Sequence, residues 1–123
     1  MTLLPIRVLI VDDALLIRQM LRSILTRSDY QVVGEAADGD EAVNRFRELR
    51  PDVVLLDIMM PTVDGMTALR QILAVDPAAR VVMCSALDQK HVISQALDAG
   101  ARDFINKPFT PESVRDAVRR AMV

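Results

Sequence analysis

The chain has 123 residues, the size of one compact domain, and 51% of them are hydrophobic, enough to bury a real core. A net charge of −2 and a pI near 5.3 give no global positive field for nucleic acid, and 3% aromatics leave little surface for stacking bases. No apolar run could span a bilayer, "MTLLPIRVLI" lacks a basic start and a small-residue cleavage site, and Cys84 has no second cysteine to pair with. A cytoplasmic, monomeric domain without a nucleic-acid or membrane partner is therefore expected.

The first apolar run, "IRVLIV" (6–11), predicts a strand. In the following "ALLIRQMLRSILTR", Ile17, Met20, Leu21, Ile24 and Leu25 recur at helical spacing and predict one buried stripe. "QVVGEA" (31–36) reads as a second strand. In "DGDEAVNRFRELR", Asp38 and Glu41 have capping-box spacing, with Ala42, Val43, Phe46 and Leu49 as the buried face. "DVVLLD" (52–57) is a third strand. The next helix, "GMTALRQILA", buries Leu69, Ile72 and Leu73 and stops before Pro77. "RVVMCS" (80–85) is a fourth strand, and "DQKHVISQALDAG" a helix burying Val92, Ile93, Ala96 and Leu97 and ending at Gly100. "DFIN" (103–106) completes the strands. Thr110 as N-cap with Pro111 at the first helical position opens the last helix, "TPESVRDAVRRAM".

Strand and helix thus alternate five times over short connections, which predicts an α/β fold with a parallel sheet covered on both faces. Ligands of such sheets bind outside the carboxyl ends of the strands. Those ends carry Asp12 and Asp13, Asp57, Ser85 and, just beyond the fifth strand, Lys107. Carboxylates crowded at one edge raise each other's pKa, and a hard divalent cation with oxygen ligands, Mg²⁺, relieves the repulsion. Read alone, "DD" would be a helix cap. Read with Asp57, Ser85 and Lys107, it is part of a site for phosphoryl transfer to a carboxylate, with Asp57 as the nucleophile. Lys107 would neutralise charge on the phosphoryl oxygens and Ser85 would donate a hydrogen bond to one of them.

The motifs "VLIVDD", "VVLLDIMMPTVDG", "CSA" and "DFINKPF", in this order and at these spacings, resemble the bacterial two-component receiver domain over essentially the whole chain. Within that family the chain is most similar to single-domain chemotaxis regulators of the CheY type. The resemblance implies one receiver domain over residues 1–123 and a flavodoxin-like, doubly wound (βα)5 sheet of strand order 2-1-3-4-5. It implies that Asp57 takes phosphate from the phosphohistidine of a histidine kinase, of chemotaxis type. It further implies Mg²⁺ ligation by Asp13, Asp57 and the backbone carbonyl of Met59, with Asp12 acting through water, and a cis Lys107–Pro108 peptide. Such a chain is a signalling protein that catalyses only its own phosphorylation and dephosphorylation.

By the same resemblance, Ser85 is drawn to the phosphoryl group with the "SALDQ" loop, and Phe104 rotates into the space vacated. Phe104 stands where many members carry Tyr, so contacts through a hydroxyl are lost while a packing switch is kept. The surface expected to change comprises the fourth helix, fifth strand and fifth helix, with Lys90, His91, Gln95, Asn106, Arg115 and Arg119 as candidate members, and its target would be a downstream protein such as a flagellar motor switch component. Leu15, Leu16, Arg18 and Gln19 are candidates for kinase pairing. Met59 and Leu87, two residues after Asp57 and Ser85, would border the phosphoryl group and, being apolar, slow its hydrolysis. His91, the sole histidine, has no partner ligand in the sequence for a metal, and Cys84 reads as a buried strand residue.

Three other readings fit less well. A haloacid-dehalogenase-type phosphatase needs an acid where Met59 stands. A flavodoxin-like electron carrier needs a phosphate-cradling loop where "VDDALL" places acids. A pseudo-receiver that acts only as an interaction module lacks site residues that are all present here. A receiver that is one part of a longer regulator with a DNA-binding or enzymatic output stays open as the alternative.

Overall fold

A computed structural model describes residues 5–27, 30–86 and 89–123. Five strands and five helices alternate: β1 (Ile6–Val11), α1 (Leu15–Thr26), β2 (Tyr30–Ala36), α2 (Gly39–Leu49), β3 (Val53–Asp57), α3 (Gly65–Val75), β4 (Val81–Ala86), α4 (Lys90–Ala99), β5 (Asp103–Lys107) and α5 (Pro111–Ala121). All pairings are parallel and the strand order is β2-β1-β3-β4-β5, as expected.

Alternation along the strands divides the core in two, because successive side chains point to opposite faces. Leu9, Val11, Val54, Leu56, Val81 and Met83 pack under α2, α3 and α4, with Phe46, Leu69 and Ile72. Val8, Ile10, Val53, Leu55, Val82 and Cys84 pack under α1 and α5, with Leu21, Leu25, Val114 and Val118. Every residue of β3 is buried, which explains why its sequence is an unbroken apolar run rather than an alternating one. No helix among the described residues is long and apolar enough to cross a membrane.

Several helix faces differ in width from the sequence reading. In α1, Leu21 and Leu25 are buried and Ile17 and Ile24 half-buried, but Met20 is 43% exposed. Only one sheet face lies beneath α1, so its buried stripe narrows to one residue per turn. Leu97 is likewise 39% exposed, because Ile93 and Ala96 already fill the contact between α4 and the sheet.

The caps follow the sequence more closely. Asp38 accepts from the Glu41 N–H at 2.9 Å, and Thr110 and Ser113 form a reciprocal capping box behind Pro111. Gly100 has φ 122°, a left-handed conformation suited to glycine at the end of α4. Strand limits shift by a residue. Asp52 stays outside β3, where its carboxylate accepts from the Arg7 N–H at 2.8 Å, and Lys107 is drawn into β5.

Candidate phosphoacceptor site

Four of the five β-strands, all but β2, bring a polar residue at or just beyond their ends to one edge of the sheet. Asp12 directly follows β1, Asp57 closes β3, Ser85 is the penultimate residue of β4 and Lys107 the last of β5. Asp12, Asp57 and Ser85 are the buried polar residues of the described chain, at 1%, 5% and 1% exposure, so this edge holds the only charge taken into the interior.

Lys107 holds the acids together. Its Nζ lies 2.8 Å from Asp12 Oδ2 and 3.1 Å from Asp57 Oδ1, bridging the two carboxylates. The Lys107–Pro108 peptide that follows is cis, as the resemblance implied. Asp13 is exposed at the rim, yet its carboxylate approaches the other two: oxygens of Asp12, Asp13 and Asp57 all lie within 4.8 Å of one another.

Burial pushes the Asp57 carboxyl up, and the neighbouring Asp12 charge pushes it further. Lys107 and the Met59 N–H, which donates to Asp57 Oδ1 at 3.4 Å, offset part of that rise. For Lys107 burial alone would lower the ammonium pKa, but the hydrogen bond to Asp12 and the charges of both acids outweigh it and hold the pKa above its usual value. Three carboxylates against one ammonium leave an excess of negative charge, confined to oxygen donors. That donor set fits Mg²⁺.

Ser85 differs from its neighbours: its Oγ is buried and has no hydrogen-bond partner among the described residues. The register pairs Asp57 with Cys84, so Ser85 sits one residue beyond the acid on the adjacent strand. A buried hydroxyl without a partner costs about 1–3 kcal/mol, and its place beside a strand-end acid marks where an incoming oxygen would be bound. Next to it, the Ala86 N–H donates to Gln89 Oε1 at 3.0 Å.

Backbone packing supports Asp57 from below. Gly65 donates its N–H to the Ile58 carbonyl at 2.8 Å, and a Cβ at this position would overlap the Asp57 carbonyl oxygen and the Ile58 backbone. Only glycine lets α3 begin this close to the end of β3.

Residues 8–119 match the family model for the response regulator receiver domain. This chain belongs to the receiver family. The receiver is 47% identical to the chemotaxis protein CheY of Thermotoga maritima over 93% of this chain and 95% of that protein. Among solved structures, it superposes with a TM-score of 0.93 and 38% identity on the CheX–CheY–BeF3–Mg²⁺ complex from Borrelia burgdorferi, covering 98% of this chain and 91% of that one. The response regulator domain of Thermotoga maritima CheB gives a TM-score of 0.89 at 39% identity, with 96% of both chains covered. Receivers of the CheY type are signalling proteins rather than metabolic enzymes.

The sequence-predicted residues Asp12, Asp13, Asp57, Ser85 and Lys107 converge in this receiver, while Met59 projects its side chain outward at 64% exposure. Phe104 is not a core residue either; at 36% exposure it stands on the surface beside a groove of about 440 Å³ that Asn106 and Arg120 also line. Leu87 and Asp88 of the "SALDQ" loop lie outside the described residues. Lys90, His91, Gln95, Asn106 and Arg119 are exposed, and Arg115 is half-buried with its carbonyl accepting from the Tyr30 hydroxyl at 3.2 Å.

Leu15, Leu16 and Gln19 are free surface. Arg18 is not, its side chain being turned inward at 15% exposure. Sequence reasoning missed what Arg18 touches, because its partners, Glu35 on β2 and the Asp12 carbonyl just past β1, are joined to it by no spacing rule.

Proposed function

We propose that this chain is a phosphorelay switch whose Asp57 accepts a phosphoryl group from the phosphohistidine of a histidine kinase. The observation that carries the reading is the buried, unpartnered Ser85 hydroxyl beside a buried strand-end carboxylate that a lysine already grips. An Asp57 oxygen attacks phosphorus, the P–N bond to the kinase imidazole breaks, and the imidazole leaves with the electron pair.

Asp12, Asp13 and Asp57, with the Met59 carbonyl, would hold Mg²⁺; when bound, the ion supplies neutralisation of charge on the phosphoryl oxygens. Lys107 keeps Asp57 oriented by its hydrogen bond and remains positive throughout the neutral range, so it can follow the developing charge onto the transferred group. Ser85 gains the partner it lacks by donating to a phosphoryl oxygen. Phosphorylation adds roughly −1.5 to −2 of charge, and the pull on Ser85 would bias β4 and, beside it, Phe104 toward an inward position. Its outward position here is the one the switch would leave.

The face carrying Lys90, His91, Gln95, Phe104, Asn106 and Arg119 is then the output surface. Similarity to CheY proteins supports a chemotaxis-type kinase upstream and a motor-switch or CheX-like protein downstream. Apolar Met59 would shield the acyl phosphate from water, so Met59→Asn should shorten its lifetime. Similarity to the receiver of CheB supports a second reading, a receiver within a longer regulator, which the mass of the native gene product would decide.

Intact mass after incubation with acetyl phosphate tests the central reading. The wild type should gain one phosphoryl mass only with Mg²⁺, and Asp57→Asn should gain none. A folded wild type that neither gains mass nor binds beryllofluoride would refute it.

A further inference from the structure

We propose that Arg18 is a positioning residue of the acidic site, fixing Asp13 through the peptide plane it shares with Asp12. The inference rests on the reading that these acids hold a divalent cation. Arg18 lies one turn into α1, where a guanidinium has every opportunity to reach solvent, yet its side chain is 15% exposed. Its Nε donates to Glu35 Oε1 at 3.0 Å and its NH1 to the backbone carbonyl of Asp12 at 2.7 Å. Arg22 takes the other Glu35 oxygen, with Nε at 2.8 Å and NH2 at 2.7 Å. A carboxylate on β2 held by two arginines of α1 thus aims one of them at the first acid of the site.

The target of that hydrogen bond matters. Asp12 is bonded at every polar group: its N–H donates to the Ala36 carbonyl at 3.1 Å, Oδ1 accepts from the Ala14 N–H at 2.9 Å, Oδ2 accepts from Lys107, and its carbonyl accepts from Arg18. Asp13 has no such support, since among the described residues no group bonds its exposed carboxylate. The carbonyl of Asp12 and the nitrogen and Cα of Asp13 lie in one plane. Holding that carbonyl therefore fixes the nitrogen and Cα of Asp13, the base from which its carboxylate reaches the site.

Charge and geometry predict opposite signs, which makes the role testable. If Arg18 acted only as a nearby positive charge, removing it would favour a cation at the site. If it positions Asp13, removing it loosens the ligand set and weakens binding. Substitutions behind metal ligands typically cost 10–100-fold in metal affinity. Arg18→Lys keeps the charge but cannot span Glu35 and the Asp12 carbonyl with a planar fork, so it should behave like Arg18→Met.

The test is direct binding of Mn²⁺, by water-proton relaxation, which requires no phosphoryl transfer. Arg18→Met and Arg18→Lys should each bind about tenfold more weakly than wild type, Glu35→Gln by a smaller factor, and Arg22→Gln close to wild type, with circular dichroism confirming the fold. In the acetyl phosphate reaction the Mg²⁺ concentration for half-maximal rate should rise by the same factor while the saturated rate is kept. If Arg18→Met destabilises the chain too far, Glu35→Gln, which leaves Arg18 in place but less firmly aimed, carries the prediction at its smaller factor. Folded Arg18 variants that bind Mn²⁺ as tightly as wild type, or more tightly, overturn the proposal. A wild type whose Mn²⁺ binding is absent, or unaffected by Asp13→Asn, would instead refute the cation reading and take this inference with it.

Discussion

The ends of β1 and β4 lie on opposite sides of Asp57 and are built in opposite ways. At the end of β1, Asp12 is 1% exposed and all its polar groups are bonded. At the end of β4, Ser85 is equally buried and its hydroxyl is bonded to nothing among the described residues. The other buried orphan among the described residues, Arg80 Nε, lies just before the far start of the same strand. Asp12, on one side of the edge, is thus fixed before any ligand arrives, and Ser85, on the other, is left incomplete. The difference teaches where rigidity and response would be divided in the proposed switch: a fixed charge is held at Asp12, and the side that would answer a new oxygen retains an unmet donor.

The comparison can be broken most forcefully at Lys107. Lys107→Met leaves two buried carboxylates facing each other, and loss of one partner from a buried ion pair should cost about 3 kcal/mol, the low end of the usual range because the lysine is partly exposed, in a denaturant titration at pH 7. The folded-state pKa of Lys107 lies above 10.5, so its contribution is fully present below that pH and lost as pH rises through the shifted value. The gap between wild type and variant should therefore close only in strong alkali.

Removing the incomplete side has the reverse sign. Ser85→Ala should stabilise the unphosphorylated chain by about 1 kcal/mol, because it deletes a donor that has no partner, while weakening beryllofluoride binding. A destabilised Ser85→Ala would show that the hydroxyl is bonded in solution.

Asp57→Asn should give a smaller gain, since Lys107 already offsets part of the cost of its charge. The folded pKa is raised above 3.8, so ionisation costs stability, and the cost appears as pH rises from the unfolded value through the folded one. Thermal midpoints should favour the variant at pH 7 and converge below about pH 4.

The smallest effect is expected behind the β1 side. Burial would raise the Glu35 carboxyl, but the hydrogen bonds and charges of Arg22 and Arg18 outweigh it and hold it below 4.5. Glu35→Gln should cost about 0.5 kcal/mol, present above pH 4.5 and fading as pH falls through the lowered value.

Much of this edge is legible in the sequence alone. An apolar run such as "DVVLLD" can be a strand buried on both faces only if its acid marks the strand end, and five such ends must meet in a parallel sheet. What could not be read depends on curvature and on contacts between distant segments. Met20 and Leu97 obey helical spacing yet lie outside the contact strip, whose width is set by how each helix sits on the twisted sheet. The link from Arg18 to Glu35 joins α1 to β2 across seventeen residues, and the missing partner of Ser85 is a property of the space around it rather than of its neighbours in the chain.

Cys84 has a practical consequence. Its thiol is 2% exposed and is pushed up to about 12, first by burial and further by the Asp57 and Asp12 charges, against the opposing pull of Lys107. Folded protein should therefore ignore maleimides and disulfide reagents at neutral pH. A cysteine introduced on the outer face, at Gln95 for example, would be the one thiol open to a spin label or fluorophore, so the movements of α4 can be watched in a chain that keeps every native side chain of its site.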